Sequence, residues 1–289
     1  MREYFPRGGL AVFDLEFDLG TPTKRKVYAA AASIIASNIK QANPKNIIVT
    51  ISDHTDESSG DLFLGKEGCK DVAVMDVLLS PFKLQLPGGM LFILACGSIV
   101  RNTESYASLL DAIGRYNLFC AIMFDAARLQ PIFTWPFLIH ITEGVIIEGH
   151  CVEDVVEAAL GTSRRLGRHT GVYLAVLCPT SSSIRKVLNI TKYVWSHRDH
   201  RPWGQPLPVQ CPQCGTLQKW QRSTCHHSTY IFKCHYHKCG WDIVSGTFHK
   251  PPHIFKRTKP KNVEVIQQGK FTAWLKSTLP PRVVDVKVV

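Results

Sequence analysis

Two short cysteine turns, Cys211-Pro-Gln-Cys214-Gly and Cys234-His-Tyr-His-Lys-Cys239-Gly, restrict this chain more than any other feature of it. Two thiolates presented by each turn suit the closed, tetrahedral coordination of structural zinc, and the metal then replaces a core that so small a unit cannot build for itself. Nineteen residues separate Cys214 from Cys234, and Thr-Tyr-Ile-Phe-Lys-Cys over 229–234 reads as a strand entering the second turn. That turn holds four residues between its cysteines where two is the commonest spacing, so Cys225, His226, His227, His235 and His237 stand as substitute ligands or as a second site. A catalytic zinc needs an open position beside an acid or base, and Asp242 is the sole carboxylate in 205–248. The expectation is therefore a structural zinc ribbon over 207–248, ligated by Cys211, Cys214, Cys234 and Cys239.

Charge divides the chain near the same place. Residues 1–180 hold 16 Lys/Arg against 19 Asp/Glu, whereas 181–289 hold 18 Lys/Arg against Asp199, Asp242, Glu264 and Asp285 alone. A C-terminal part at +14 behind an N-terminal part at −3 could draw nucleic acid or an acidic partner, or could simply be a solvated basic surface. Within the ribbon, Trp220, Tyr230, Phe232, Tyr236 and Trp241 alternate with Lys219, Arg222, Lys233 and Lys238. They could form a stacking surface for bases or the small core of the ribbon.

Ahead of the ribbon, strand-like and helix-like segments alternate. Residues 9–19 alternate apolar with acidic positions, as a first strand does, which puts Asp14, Glu16 and Asp18 on one face, either turned to solvent or forming an acidic ladder for a metal. Helices are expected over 23–42, 71–84, 104–115 and 152–166, and strands over 46–51, 90–95, 119–125 and 172–178. Met-Leu-Phe-Ile-Leu-Ala over 90–95 is apolar throughout, as a strand buried on both faces requires. The pattern predicts an α/β domain over 1–180 with a predominantly parallel sheet and helices on both faces, then a basic linker over 181–206, the ribbon, and a basic tail over 249–289. The N-terminus lacks a signal-peptide core, and no apolar run approaches the ~18 residues of a membrane span. An intracellular protein with reduced thiols is expected, with Cys69, Cys120, Cys151 and Cys178 as core or incidental cysteines. No glycine-rich phosphate loop is present, which argues against nucleotide-dependent chemistry.

Two side chains with chemistry to offer follow predicted parallel strands: His54 after 46–51 and Cys96 after 90–95. Both should reach the same sheet edge, where an imidazole can take a thiol's proton and the thiolate can attack. His54 in Ile-Val-Thr-Ile-Ser-Asp-His-Thr-Asp-Glu-Ser-Ser-Gly-Asp-Leu-Phe-Leu, followed 42 residues later by Cys96 in Leu-Phe-Ile-Leu-Ala-Cys-Gly-Ser, resembles the caspase-like cysteine peptidases, and most of all their CHAT branch. The resemblance runs over about residues 9–178 and includes a short hairpin at 60–65. It implies a cysteine endopeptidase with His54 as general base, Cys96 as nucleophile, and backbone N–H groups of Thr55 and Gly97 at the oxyanion. The family usually has glycine after the histidine; Thr55 keeps the N–H but narrows the backbone choices.

Three functions compete on these grounds. The first is a caspase-like endopeptidase whose ribbon recruits a protein substrate or partner. The second is an inactive scaffold of the same fold, and the third is a zinc-dependent protein that binds nucleic acid or protein through its basic half, with no membrane involved.

Overall fold

The computed structural model describes residues 8–62, 74–178, 185–217, 220–226, 228–242 and 244–286, without the side chains of 223, 225 and 226. Helix α1 (Pro22–Ala42) starts under the Thr21 side chain, which accepts from Lys24 N, and stops at Asn43, whose left-handed backbone (φ 46°) returns its N–H to Ile39 O. Asparagine tolerates that conformation, and Pro44 then prevents the helix from resuming. Tyr28, Ala32 and Ala36 form the buried stripe of α1 at four-residue spacing.

Strand β1 (Ile48–Asp53) is followed by the short α2 (Val74–Leu79), then β2 (Met90–Ala95), α3 (Ser98–Arg101), α4 (Thr103–Arg115) and β3 (Cys120–Phe124). Helix α5 (Pro131–Thr142) continues as a π turn over Glu143–Ile147, and α6 (Val152–Thr162) and α7 (Arg164–His169) lead to β4 (Val172–Cys178) and β5 (Arg185–His197). Beyond these lie β6 (Trp220–His226), β7 (Thr229–Cys234), β8 (Trp241–Asp242), β9 (Thr247–Phe248), β10 (Ile254–Thr258), β11 (Val263–Ile266) and β12 (Thr272–Asp285).

The main sheet runs in the order β1-β2-β3-β4-β5-β12-β11. Period-2 alternation sorts its side chains into two cores. Leu91, Ile93, Ala121, Met123, Ala175, Leu177 and Ile190 pack with residues of α1, α2 and α4 on one face. Met90, Phe92, Leu94, Ile122, Phe124, Leu174, Tyr193 and Trp195 pack with α5, α6 and α7 on the other.

Four expectations change. The sheet is mixed rather than predominantly parallel: β1-β2 and β2-β3 are parallel, whereas β3-β4, β4-β5, β5-β12 and β11-β12 are antiparallel. Apolar strand composition reports burial on two faces and is blind to direction. Residues 9–19 form no strand, since nothing described pairs with them, although Leu19 is buried. The expected linker over 181–206 contains the whole of β5, and the expected tail over 249–289 is folded as β10, β11 and β12. Strand β12 lies between β5 and β11 in the main sheet, so the cysteine module is an insertion between two neighbouring strands, not a C-terminal appendage.

The last strand is bound to the helices as well as to the sheet. Arg282 donates twice to Asp111 of α4, each at 2.9 Å, and Lys276 Nζ donates to Glu157 of α6 at 2.6 Å. Val284 packs so closely on Gly114 of α4 that a Cβ there would sit 2.4 Å from the valine Cβ. No described helix is long and apolar enough to cross a membrane.

Candidate functional sites

The parallel register of β1 and β2 pairs Asp53 with Ala95 at its last step. His54 and Cys96 are each one residue further on, leaving the same end of two adjacent strands. The two loops are then joined. Thr55 Oγ1 donates to Cys96 O at 3.2 Å, and His54 N donates to the Asp53 carboxylate at 2.7 Å. The His54 side chain is exposed and Cys96 is half-buried.

Residues after His54 fold into a turn that docks on the N-terminus of α4. Asp56 Oδ1 accepts from Ser58 N and Ser59 N, both at 2.8 Å, and from the Ser58 hydroxyl at 2.5 Å. The Ser58 hydroxyl first, then the Ser59 and Ser58 backbone, hold the Asp56 carboxyl down at about 2. Asn102 caps α4 by accepting from Glu104 N and Ser105 N, and its amide also donates to Ser58 O at 3.2 Å. Ser105 Oγ adds contacts to Ser59 O (2.6 Å) and Asp61 Oδ1 (2.9 Å). Thr55 bridges Leu62, so the expected hairpin at 60–65 begins within the described residues and 63–65 lie outside them. Asn102 and Ser105 escaped the sequence reading, although an asparagine directly ahead of a helix is a capping signal.

Gly97 is packed against the end of the next strand. A Cβ at Gly97 would meet the Asp125 carbonyl carbon at 2.2 Å, and Gly97 N donates to Ala126 O at 2.6 Å. The Gly97 N–H expected at the oxyanion is thus engaged by a carbonyl in this structure. Asp125 is itself tied down, accepting from Gly171 N at 2.6 Å with Lys192 Nζ 3.6 Å from its other oxygen.

The sulfurs of Cys211, Cys214, Cys234 and Cys239 all lie within 4.8 Å of one another and form no disulfide. Cys211 and Cys239 are 3.9 Å apart and Cys214 and Cys234 are 3.7 Å apart. A tetrahedral ion with metal–sulfur bonds of about 2.3 Å has sulfur–sulfur edges of about 3.8 Å, so the cluster fits one such ion. Gly215 (φ 70°) and Gly240 (φ 85°) follow the second cysteine of each turn in the left-handed region. His253 N lies 3.4 Å from Cys239 Sγ, a donor aimed at the ligand from outside the coordination shell. Burial pushes the Cys234 thiol up to about 12 and also raises Cys239. At Cys214 burial opposes ionisation, but hydrogen bonds involving Thr216, Cys211 and Cys234 outweigh it and bring the thiol to about 7. A bound cation supplies the charge that lets four such thiols ionise together.

Strands β6, β7 and β10 make a three-stranded sheet beside the cluster, with Phe232 fully buried and Trp220 packed on Phe255 and His253. Trp220, Phe232 and Tyr230 thus serve the interior of the module, and the Tyr230 ring packs at a tilt against Trp203 from the main domain, 5.3 Å between centroids. Arg222 to Asp199 (2.8 Å) and Arg257 to Pro206 O (2.8 Å) complete that junction. Among the alternative ligands, His235 and His237 are exposed, and the side chains of Cys225 and His226, with all of His227, lie outside the described residues. Cys69 lies outside them too, Cys120 is buried with its thiol pushed up to about 12 by burial, Cys178 is half-buried and Cys151 is exposed. Ser245, His249 and Asp242 approach one another, but the serine (2.5 Å) and the aspartate (3.3 Å) face the same ring nitrogen, Nε2. A serine relay needs its acid on the opposite nitrogen.

No family model, no curated protein and no solved structure matches the chain.

Proposed function

We propose that this chain is a cysteine endopeptidase of the caspase-like kind, with Cys96 as nucleophile, His54 as general base and a structural zinc ribbon on Cys211, Cys214, Cys234 and Cys239. One observation carries the catalytic part: His54 and Cys96 extend two adjacent parallel strands at matched positions, and Thr55 Oγ1 bonds to Cys96 O. In the reaction the Cys96 proton passes to His54 and the thiolate attacks the scissile carbonyl carbon. The leaving amine then takes the proton from the imidazolium as the C–N bond breaks. Water, deprotonated by the same imidazole, hydrolyses the thioester and restores the thiol. With Gly97 N bonded to Ala126 O, Thr55 N–H is the remaining one of the two expected oxyanion donors. Zinc is assigned because four thiolates at tetrahedral spacing without an open position match its structural sites.

Alkylation by iodoacetamide tests the reading. Native Cys96 should react near neutral pH faster than Cys120, Cys151 and Cys178, His54→Ala should slow it, and a Cys96→Ala chain should lose cleavage of a peptide library that the native chain cuts. Labelling of Cys96 only after denaturation would sink the proposal. The engaged Gly97 N–H favours a second reading, an inactive scaffold of the same fold, and that result would select it.

A further inference from the structure

The second cysteine turn leads straight into the β8–β9 hairpin, which carries aromatic rings that the module does not use. Trp241 and Phe248 are cross-strand partners whose rings meet edge to face at 4.9 Å. Despite that contact Trp241 is 38% and Phe248 58% exposed, and Val244 at the tip is 97% exposed. Neither ring belongs to the buried cluster around the cysteines, which Trp220 and Tyr236 flank, so the hairpin pair contacts itself and leaves much of its surface open.

Cations frame the pair. Trp241 N bonds to Lys238 O and Lys250 N bonds to Gly240 O, which holds the backbone of one exposed lysine on each flank of the hairpin. Over 207–262 there are nine Lys/Arg and one carboxylate, Asp242, and that carboxylate faces His249 at 3.3 Å. Exposed aromatic faces set among lysines with almost no opposing acid are complementary to unpaired bases strung on a phosphate backbone. A duplex hides its base faces and offers such rings nothing.

We propose that the β8–β9 hairpin binds single-stranded nucleic acid, stacking bases on Trp241 and Phe248 while Lys238 and Lys250 meet phosphates. This site stands independently of the peptidase reading, since it uses no residue of the Cys96 edge.

The test uses the full-length, metal-loaded chain and fluorescence anisotropy with labelled oligonucleotides of about 12 nucleotides: oligo(U), oligo(dT) and a duplex of equal length. Both single strands should bind tighter than the duplex, and a preference between them identifies RNA or DNA as the source. Phe248→Ala and Trp241→Ala should each weaken binding about tenfold, and Trp241→Phe should restore most of it. Lys238→Gln and Lys250→Gln should each lower the salt slope by about 0.7. Because Trp241 is close to Cys239, metal content is measured for every variant, and Phe248→Ala decides the matter if Trp241→Ala loses its metal. Equal binding of duplex and single strand, unchanged binding by Phe248→Ala, or absence of binding each overturns the proposal. A Cys96→Ala chain should bind as the native chain does.

Discussion

The Thr55 hydroxyl donates to the Cys96 carbonyl at 3.2 Å, so the residue after the histidine holds the backbone of the cysteine. A glycine at that position has no side chain with which to make this tie. Thr55→Val keeps the shape and removes the donor, leaving the Cys96 carbonyl one partner short at a cost of about 1 kcal/mol. Urea unfolding should register that loss, and Thr55→Ser should recover it. Cys96 alkylation should slow in the valine variant and not in the serine variant. Equal stability and equal reactivity in all three chains would show that the bond has no structural consequence.

A chain ending at Pro260 lacks β11 and β12, and with them buried Trp274, Leu275 and Val284. Each such side chain contributes about 2–3 kcal/mol, together comparable with a domain's entire stability of about 5–15 kcal/mol. The truncated chain should therefore lose the near-ultraviolet circular dichroism and the cooperative unfolding of the main domain. A native-like α/β domain in that chain would contradict the placement of β12 within the sheet.

Metal removal should act locally. The cysteine cluster has a small interior of its own, and among the described residues it meets the main domain through Arg222–Asp199, Arg257–Pro206, Trp203–Tyr230 and Lys259 over the Trp203 ring. Chelation, or Cys211→Ser, should expose the segment between 205 and 259 to proteases while the helical circular dichroism is kept. Loss of the helical signal in step with the metal would refute this separation.

Acid should relax the turn beyond His54. The Asp56 carboxyl is held at about 2 in the folded chain, below its ordinary value of 3.8. A depressed folded-state value means that its contribution is present above the unfolded value and is lost as pH falls from about 4 towards 2. Native chain and Asp56→Asn should differ in thermal midpoint at pH 6 and converge at pH 2. A difference that persists undiminished at pH 2 would exclude the carboxylate as its cause.

The residues that announced their structure did so through local chemistry. Met90–Ala95 and Val172–Cys178 form strands at the expected bounds because an apolar run bounded by turns has few other uses. Cys211, Cys214, Cys234 and Cys239 were legible by spacing alone, and they converge. Helix α5 was not legible, since Pro136 inside it reads as a helix breaker and its apolar residues surround the axis instead of marking one face. Strand β12 was disguised by Pro280 and Pro281, which sit where its register against β5 shifts between Leu279 and Arg282. Its partner is remote in sequence, so no local pattern separates a folded strand from a basic tail. Around His54 and Cys96 the strand ends could be read, but the bonds of Thr55, Asn102 and Ser105 join residues more than forty positions apart.

The insertion of the cysteine module between β5 and β12 also orders events during synthesis. When β5 leaves the ribosome β4 is already made on one side of it, but β12, its neighbour on the other side, does not yet exist, and the whole module must be made before Thr272 can reach His197. Through that interval one side of a thirteen-residue strand presents unsatisfied N–H and C=O groups, an open template for any other extended chain. Early metal capture by the nascent module would draw the two ends of the excursion together and shorten the time for which that template stays open.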